Sequence, residues 1–213
     1  MPDNYSYEYD FDSLYCYPDS IVLKNKLNIK DKDVFFKAER EITSLRTTQA
    51  LIEPVPGNFD FNHLKAIHKF LFNDIYEWAG EVRTVNISKG NSFCQALYIE
   101  QEIEKVFVSL KKEKFLHGVT EKSALAKRLS YYMGEINAVH PFREGNGRTQ
   151  RLFITYLARG QGWDIQFANV TPKEMIDASY NSFIGDYELL DKLIYVCASL
   201  LSLAFLGFKG LIK

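Results

Sequence analysis

The sequence predicts a mainly α-helical domain, a helical bundle with one β-hairpin. Apolar residues recur at helical spacing along most of the chain, and only residues 82–94 carry the β-branched residues and turn residues of a hairpin. The length, 213 residues with 46% hydrophobic and 25% charged composition, suits one soluble domain with a sizeable core. No internal repeat or interdomain linker is visible, so we expect one domain over residues 1–213, with its core at about 15–200.

The first half of the chain predicts two helices and the hairpin. A helix begins at an aspartate cap, at position 31 or 33, and ends before "EPVPGN". Asp60 begins a second helix, which Gly80 ends. In "EVRTVNISKGNSFC", the turn-forming "SKGNS" separates residues that favour strands, and this is the only hairpin that we expect.

The second half predicts helices throughout. The segments "YIEQEIEKVFVSLKKEKF" and "TEKSALAKRLSYYMGEINAVH" are amphipathic, and "RLFITYLARG" resumes the helical period before helices at 172–183 and 187–206. Residues 193–208 contain no charge, but sixteen residues fall short of the roughly 18 to 20 that span a bilayer. We therefore expect a buried C-terminal helix and no membrane span.

Composition excludes several classes of partner and compartment. A net charge of −1 and a pI near 6.4 provide no basic field, so we expect no nucleic-acid partner. Cys16, Cys94 and Cys197 form no C-x-x-C pattern and are interpreted as buried thiols in a reducing compartment. The acidic, aromatic N-terminus lacks the basic start and apolar run of a signal peptide, which favours a cytoplasmic protein or one secreted into a host cell by another route.

The stretch "HPFREGNGRTQR", residues 140–151, concentrates groups that bind phosphate. Gly145 and Gly147 permit backbone conformations in which successive N–H groups point into one concavity at a helix N-terminus. Asn146 adds an amide donor. This turn therefore predicts an anion site.

The charged residues around that turn indicate the reaction. Arg148 and Arg151 lie one helical turn apart, which suits a polyphosphate, and Glu144 offers a hard oxygen ligand for its divalent cation. His140 has the side chain whose ordinary pKa, about 6.5, suits proton abstraction near neutral pH. Together they predict nucleotidyl or phosphoryl transfer to a hydroxyl. Arg143 is expected to face solvent.

The same stretch resembles the signature of the Fic family, H-x-F-x-[D/E]-G-N-G-R-x-x-R, at every specified position. "GEVRTVNISKGNSFC" is similar to the flap hairpin of that family, and the order of helices is similar over residues 15–200. The resemblance implies a protein adenylyltransferase, which transfers AMP from ATP to a Tyr, Thr or Ser hydroxyl of a target protein and releases pyrophosphate. Kinase relatives of the Doc type have Lys in place of Gly147, so AMP transfer is favoured here.

The resemblance also implies a role for each motif residue. His140 would deprotonate the target hydroxyl, and Glu144 would hold Mg²⁺ on the α and β phosphates. Phe142 would anchor the loop in the core. The anion hole and the β and γ phosphate ligands would be Gly145, Asn146, Gly147, Arg148 and Arg151.

For the hairpin, the resemblance implies a clamp on the target. An extended target segment would add as a strand beside Arg83, Thr84, Val85, Asn86, Ile87 and Ser88. Lys89 and Gly90, in the turn, are included as nucleotide-binding, although contact with phosphate and simple solvation of Lys89 are equally open. His63 and His68 are not spaced as a zinc pair at i, i+4.

Two questions stay open on the sequence. A nucleotide-binding module without turnover, or transfer of another phosphate-containing group, is the alternative function. Many Fic proteins carry a helix with [S/T]-x-x-x-E-[G/N], whose glutamate blocks the second motif arginine, here Arg151; in this chain only Glu144, within the motif itself, precedes Gly or Asn. We therefore expect an open ATP site, controlled by a small antitoxin-like protein in trans or by delivery into another cell.

Overall fold

The computed structural model describes residues 13–89 and 91–201, without the side chains of Lys89 and Asn91. The described part is mainly α-helical, as predicted, with seven α-helices and two small two-stranded antiparallel sheets. The elements are α1 (Lys32–Ile52), α2 (Phe61–Phe72), β1 (Ser88–Lys89), β2 (Asn91–Ser92), α3 (Ile99–Lys112), α4 (Lys122–Val139), α5 (Asn146–Gly160), β3 (Trp163–Ile165), α6 (Pro172–Phe183), α7 (Glu188–Cys197) and β4 (Ala198–Leu200).

Helices α4 and α5 form the centre of the bundle. Helix α4 packs against α3, α5, α6 and α7, and α5 packs against α1, α2 and β3. Their facing side chains are almost fully buried, among them Leu129, Tyr132, Phe153 and Leu157. The loop that joins these two helices and the first turns of α5 contain the signature, so the candidate site is supported by a well-buried part of the bundle.

Side-chain caps fix where the helices begin. Asp31 accepts a hydrogen bond from the main-chain N–H of Val34, and Asp60 accepts one from that of His63. Helix α2 ends at Phe72 and does not reach Gly80, which was the predicted end. Residues 73–80 form turns.

These turns place Trp78 against the core below α2. Its ring stacks on that of Tyr76 at a centroid distance of 4.2 Å, and the ring of Tyr15 meets it edge-on at 5.5 Å. Gly80 has a φ of +88°, and its N–H donates to Nδ1 of His68 at 2.8 Å. Tertiary contacts of this kind replace the two further helical turns that periodicity predicted.

The predicted hairpin is present but shorter than residues 82–94. Strands β1 and β2 pair in antiparallel register, with Ser88 opposite Ser92. Residues 82–87 are outside any strand, and Gly90 lies outside the described residues.

The C-terminal prediction was wrong for the described residues. Helix α7 ends at Cys197, and the chain continues as β4, which pairs with β3 through Asp164 and Ser199. Val196 and Leu200 are 80% and 73% exposed, so this segment is not a helix buried on all sides. Residues 202–208 of the predicted helix lie outside the described residues. Among the helices that the structure describes, none is long and apolar enough to cross a membrane.

The three cysteines carry free thiols. Cys16 is buried, as expected, whereas Cys94 and Cys197 are only partly buried. Burial raises the pKa of both partly buried thiols, which keeps them protonated near neutral pH.

Candidate active site

The loop between α4 and α5 bends through two left-handed residues. His140 ends α4 with φ 50° and ψ 62°, and Gly145 precedes α5 with φ 82°. A histidine in this conformation is strained, since the left-handed region is costly for residues with a Cβ. Contacts from the rest of the protein must therefore hold it there.

The environment of His140 fixes its tautomer. Its Nδ1 lies 3.2 Å from the main-chain oxygen of Asn137, which can only accept, so Nδ1 carries the proton and Nε2 keeps its lone pair. The residue is 5% exposed, and the Phe93 ring stacks on its imidazole at a centroid distance of 3.8 Å. Phe93, which follows the hairpin, thus packs against His140, the predicted general base.

The N-terminus of α5 is suited to an anion. No side chain caps this helix, because its N-cap residue is Gly145. The first main-chain N–H groups of a helix have no partner within it, and together with the helix dipole they favour a negative ligand. The helix end is therefore consistent with the predicted phosphate site.

The Asn146 side chain forms two hydrogen bonds within the loop. Its Oδ1 accepts from the main-chain N–H of Phe142 at 2.9 Å, and its Nδ2 donates to the carbonyl of Phe142 at 2.7 Å. The residue is 1% exposed, and these two bonds close the loop. Because Nδ2 has a second hydrogen, the amide donor expected from the sequence stays a prediction. Phe142 is buried, in accord with its predicted place in the core, and stacks on His68 at 4.0 Å.

The two glycines of the signature differ. A Cβ on Gly145 would lie 2.2 Å from the Phe72 ring. Gly147 lies within α5, where its φ is not positive, so the conformational argument does not apply to it. A Cβ there would lie 3.3 Å from Nη1 of Arg151, so this glycine leaves room for that guanidinium.

Arg148 is held by an acidic cluster. Its Nη2 donates to Oε1 of Glu39 at 3.0 Å and to Oε1 of Glu144 at 3.3 Å, and its Nη1 donates to the Thr43 hydroxyl at 3.0 Å. The guanidinium lies 4.7 Å from the centre of the Phe72 ring. Burial lowers the pKa of Arg148, but the two carboxylates more than offset this, and the pKa lies above its usual value.

Arg151, unlike Arg148, is not held by acidic side chains of the described residues. Among the described residues it forms no ion pair, and burial together with the charge of Arg148 lowers its pKa to about 10. The guanidinium therefore remains charged at neutral pH, and no carboxylate in the described part of the chain neutralises it. Two close cations, one of them without a counter-ion from residues 13–89 or 91–201, suit a polyphosphate site.

His68 positions Glu144. The N–H of Gly80 donates to Nδ1 of His68, so Nε2 carries the proton and donates to the carbonyl of Glu144 at 3.0 Å. Burial lowers the pKa of His68 to about 3, so the ring is neutral at all ordinary pH values.

The Glu144 carboxylate fits a divalent cation. Its hydrogen bonds to described residues, from the N–H of Gly145 at 2.8 Å and from Arg148, both use Oε1. Oε2 remains for a hard cation, and Mg²⁺ commonly takes one or two carboxylates together with the oxygens of phosphate and water. Among the described residues, no group of three or more histidine, cysteine or acidic side chains could hold a metal ion. A cation at Glu144 would therefore also need oxygens of phosphate and water.

Arg143 does not face solvent, which corrects the prediction. It is 0% exposed, because Tyr15 and Cys16 lie against it. Its Nη2 lies 3.7 Å from the sulfur of Cys16, and its guanidinium lies 5.7 Å from the centre of the Tyr15 ring.

Arg83 is buried below the hairpin, and its side chain is not placed to contact a target. It is 1% exposed, and its guanidinium donates only to carbonyls in its described hydrogen bonds. These belong to Val85, Cys94, Val139 and, at 2.8 Å, His140. Burial lowers its pKa to about 10, so it remains a cation. Arg83 thus connects the base of the hairpin to the loop.

The other predicted flap residues differ in their exposure to solvent. Thr84 and Asn86 are exposed, Val85 and Ser88 are half-buried, and Ile87 is buried. The Asn86 side chain accepts from the N–H of Ala96 at 2.8 Å. The side chain of Lys89 and the whole of Gly90, predicted to bind nucleotide, lie outside the described residues.

Sequence reasoning missed the support from α1. Phe35, Glu39 and Thr43 recur every fourth residue on the buried face of this helix. A carboxylate on a core-facing stripe needs a partner, and this was the signal that could have identified Glu39.

Known proteins resemble this chain in sequence and in fold. The family profile described as the Fic/DOC family matches residues 58–158. A relative from Sinorhizobium fredii, "Probable protein adenylyltransferase y4lH", is 42% identical over 172 residues, which cover 80% of this chain and 88% of the relative. The chain belongs to the Fic/DOC family. "Probable protein adenylyltransferase Fic" of Escherichia coli is 36% identical over 177 residues, 83% of this chain and 87% of that protein.

A solved Fic structure has the same fold. It is the N-terminal Fic domain of a cell filamentation protein from Bartonella quintana, described as a VirB-translocated Bep effector and containing bound ADP. It superimposes with a TM-score of 0.84 at 28% identity, over 92% of this chain and all of that one. The Fic signature is therefore seen here on a Fic fold.

Proposed function

We propose that His140 is the general base of AMP transfer and that the N-terminus of α5 binds the phosphates of ATP. The chain is a protein adenylyltransferase: it transfers AMP from ATP to a hydroxyl side chain of a target protein and releases pyrophosphate. The observation that carries the assignment of the base is the contact between Nδ1 of His140 and the carbonyl of Asn137, which makes Nε2 the ring nitrogen that can take up a proton.

The reaction follows from these groups. Nε2 of His140 accepts the proton of the target hydroxyl, whose oxygen forms a bond to the α-phosphorus. The bond between that phosphorus and the oxygen of the β-phosphate breaks, and pyrophosphate leaves with the electron pair. The imidazolium that results returns its proton to solvent. Arg148, Arg151 and the first N–H groups of α5 offset the charge of the leaving group.

Glu144 is proposed to hold Mg²⁺ through Oε2. When bound, the ion would screen the charge of the phosphates. The protein's own contribution is to keep this carboxylate in place, through the N–H of Gly145, the guanidinium of Arg148 and the bond from His68 to its main chain. Asn146 and Phe142 hold the shape of the loop.

The hairpin is proposed to bind the target as an added strand. The exposed residues Thr84 and Asn86 and the main chain of residues 84–88 are the parts of the flap that could meet it. Arg83 and Ile87 would act from below, as support. Lys89 and Gly90 are retained as candidate phosphate contacts.

Regulation is proposed to come from outside the described chain. Arg151 has no carboxylate partner among the described residues, which supports an ATP site that is open in cis. A small antitoxin-like inhibitor and delivery into another cell are both compatible with this, and the description of the B. quintana relative as a translocated effector supports the second. The N-terminal acidic segment "YEYDFD" lies outside the described residues.

Label transfer tests the reaction. With α-³²P-ATP the protein should label a target protein in a lysate, whereas γ-³²P-ATP should give no label. Label from the γ position alone would indicate a kinase, and retained ATP binding without any label would favour the binding module.

The base is tested by His140→Ala, which should lose label transfer by about 100-fold or more while ATP binding persists. His117→Ala is the control, because this histidine is exposed and outside the signature. Transfer at the wild-type rate in His140→Ala would contradict the assignment.

A further inference from the structure

Glu39 lies outside the signature, 109 residues before Arg148, yet its carboxylate meets the guanidinium directly. It is 8% exposed and lies in the interior of a 21-residue helix. Its Oε1 accepts from the hydroxyl of Tyr76 at 3.0 Å as well as from Arg148 at 3.0 Å. The carboxylate is therefore fixed by two donors from two different parts of the chain.

Thr43 completes the same contact. Its hydroxyl donates to the main-chain oxygen of Glu39 at 2.8 Å and accepts from Nη1 of Arg148 at 3.0 Å. Nη1 and Nη2 of Arg148 are thus both bound from α1, whereas Nε makes no hydrogen bond to the described residues. A guanidinium held in this way keeps donors for an anion and cannot rotate freely.

Two carboxylates share this one cation. Glu144 contacts the same Nη2 at 3.3 Å, slightly farther than Glu39 does. If the charge of Glu39 were removed, Glu144 would be the only anion of this pair left beside Arg148. The guanidinium would then attract the Glu144 carboxylate more strongly and would compete with a metal ion for it.

We infer that Glu39 is a positioning residue of the nucleotide site, which fixes Arg148 for phosphate and thereby leaves the Glu144 carboxylate to the cation. This inference rests on the proposed function of Arg148 and Glu144. An inhibitory glutamate would have to leave the arginine when ATP binds. Glu39 cannot do so by a side-chain rotation into solvent, because it is buried between Phe35 and Thr43 on the core face of α1.

The test is ATP binding as a function of Mg²⁺ concentration, measured by calorimetry on the whole chain. Glu39→Gln keeps the size and hydrogen-bonding capacity of the side chain and removes its charge. We expect its ATP affinity to fall about 10-fold at fixed Mg²⁺ and its half-saturating Mg²⁺ concentration to rise several-fold. Glu41→Gln, an exposed change on the same helix, should leave both values within about twofold of the wild type.

A double-mutant cycle separates positioning from general support of the fold. In an Arg148→Met background, Glu39→Gln should have no further effect on ATP affinity, because its route to the nucleotide is gone. If Glu39→Gln does not fold, Thr43→Val tests the same guanidinium and should also weaken ATP binding, by about threefold.

Three results would overturn the inference while leaving the proposed function intact. They are tighter ATP binding by Glu39→Gln, an unchanged Mg²⁺ requirement, and an equal loss of affinity with and without Arg148. If instead the wild-type chain neither binds ATP nor transfers label, the proposed function itself fails.

Discussion

Substitutions at the two signature glycines should have different consequences. Gly145→Ala places a Cβ 2.2 Å from the Phe72 ring on a backbone with φ +82°. We expect it to lower the free energy of unfolding by about 2 kcal/mol or more. Gly147→Ala should fold and should instead weaken ATP binding, because Arg151 must move. Thermal unfolding and ATP titration measure the two effects.

Gly160→Ala is the matched control, since nothing lies within 4 Å of a Cβ at that end of α5. It should leave the free energy of unfolding unchanged or slightly raise it. Equal stability of Gly145→Ala and Gly160→Ala would show that the loop can rearrange around an added methyl group.

The site residues that the sequence indicated lie close together in the chain. Twelve consecutive residues contain His140, Glu144, Arg148 and Arg151, so the sequence alone indicates that they act together. The supporting residues act over distance: His68 bonds to Glu144 across 76 positions, and Glu39 bonds to Arg148 across 109. Nothing in local spacing indicates such partners, and an ionisable residue on the buried face of a helix is the only sign of them in the sequence.

The hairpin depends on its base. Arg83→Met would remove hydrogen bonds to four carbonyls, including that of the strained His140, while filling much of the same space. We expect a loss of about 1–3 kcal/mol in the free energy of unfolding. Label transfer to protein should fall more than ATP affinity, because the hairpin would move relative to the proposed general base, His140.

Arg40→Met, an exposed change on α1, is the control and should alter neither stability nor transfer. An equal fall in ATP affinity and in transfer by Arg83→Met would indicate that Arg83 supports the nucleotide site rather than the flap.

Helices were predicted better than strands, for a physical reason. A helix buries one stripe with a regular period, so α1, α3, α4 and α5 are visible in the pattern of apolar residues. Strands β3 and β4 have three residues each, too few to show an alternation, and exist because they pair with each other. The end of α2 was missed because contacts of Trp78 and Gly80, not local preference, determine residues 73–80.

Across the whole molecule, the phosphate site reduces stability in the absence of ligand. The folded pKa of Arg151 is lowered, so at every pH below about 10 its charged form is less favourable in the folded chain than in the unfolded one. Arg151→Met should therefore raise the melting temperature of the free protein. It should also reduce the further rise that MgATP produces, because the phosphate loses a partner.

Thermal unfolding with and without MgATP measures both quantities. Lys127→Met, an exposed substitution in α4, controls for the loss of one positive charge. Stronger ATP binding by Arg151→Met would mean that an acidic residue outside the described chain occupies this arginine.

The stack of Trp78 on Tyr76 has an optical consequence. Tyr76 donates to Glu39, which accepts from Arg148. One ring stack and two hydrogen bonds therefore connect the Trp78 indole to Arg148 of the phosphate site. The chain has two tryptophans, and the other, Trp163, is in β3. Indole emission responds to nearby charge, so a Trp163→Phe chain should report the arrival of a nucleotide through its intrinsic fluorescence, with no dye on the protein or on ATP.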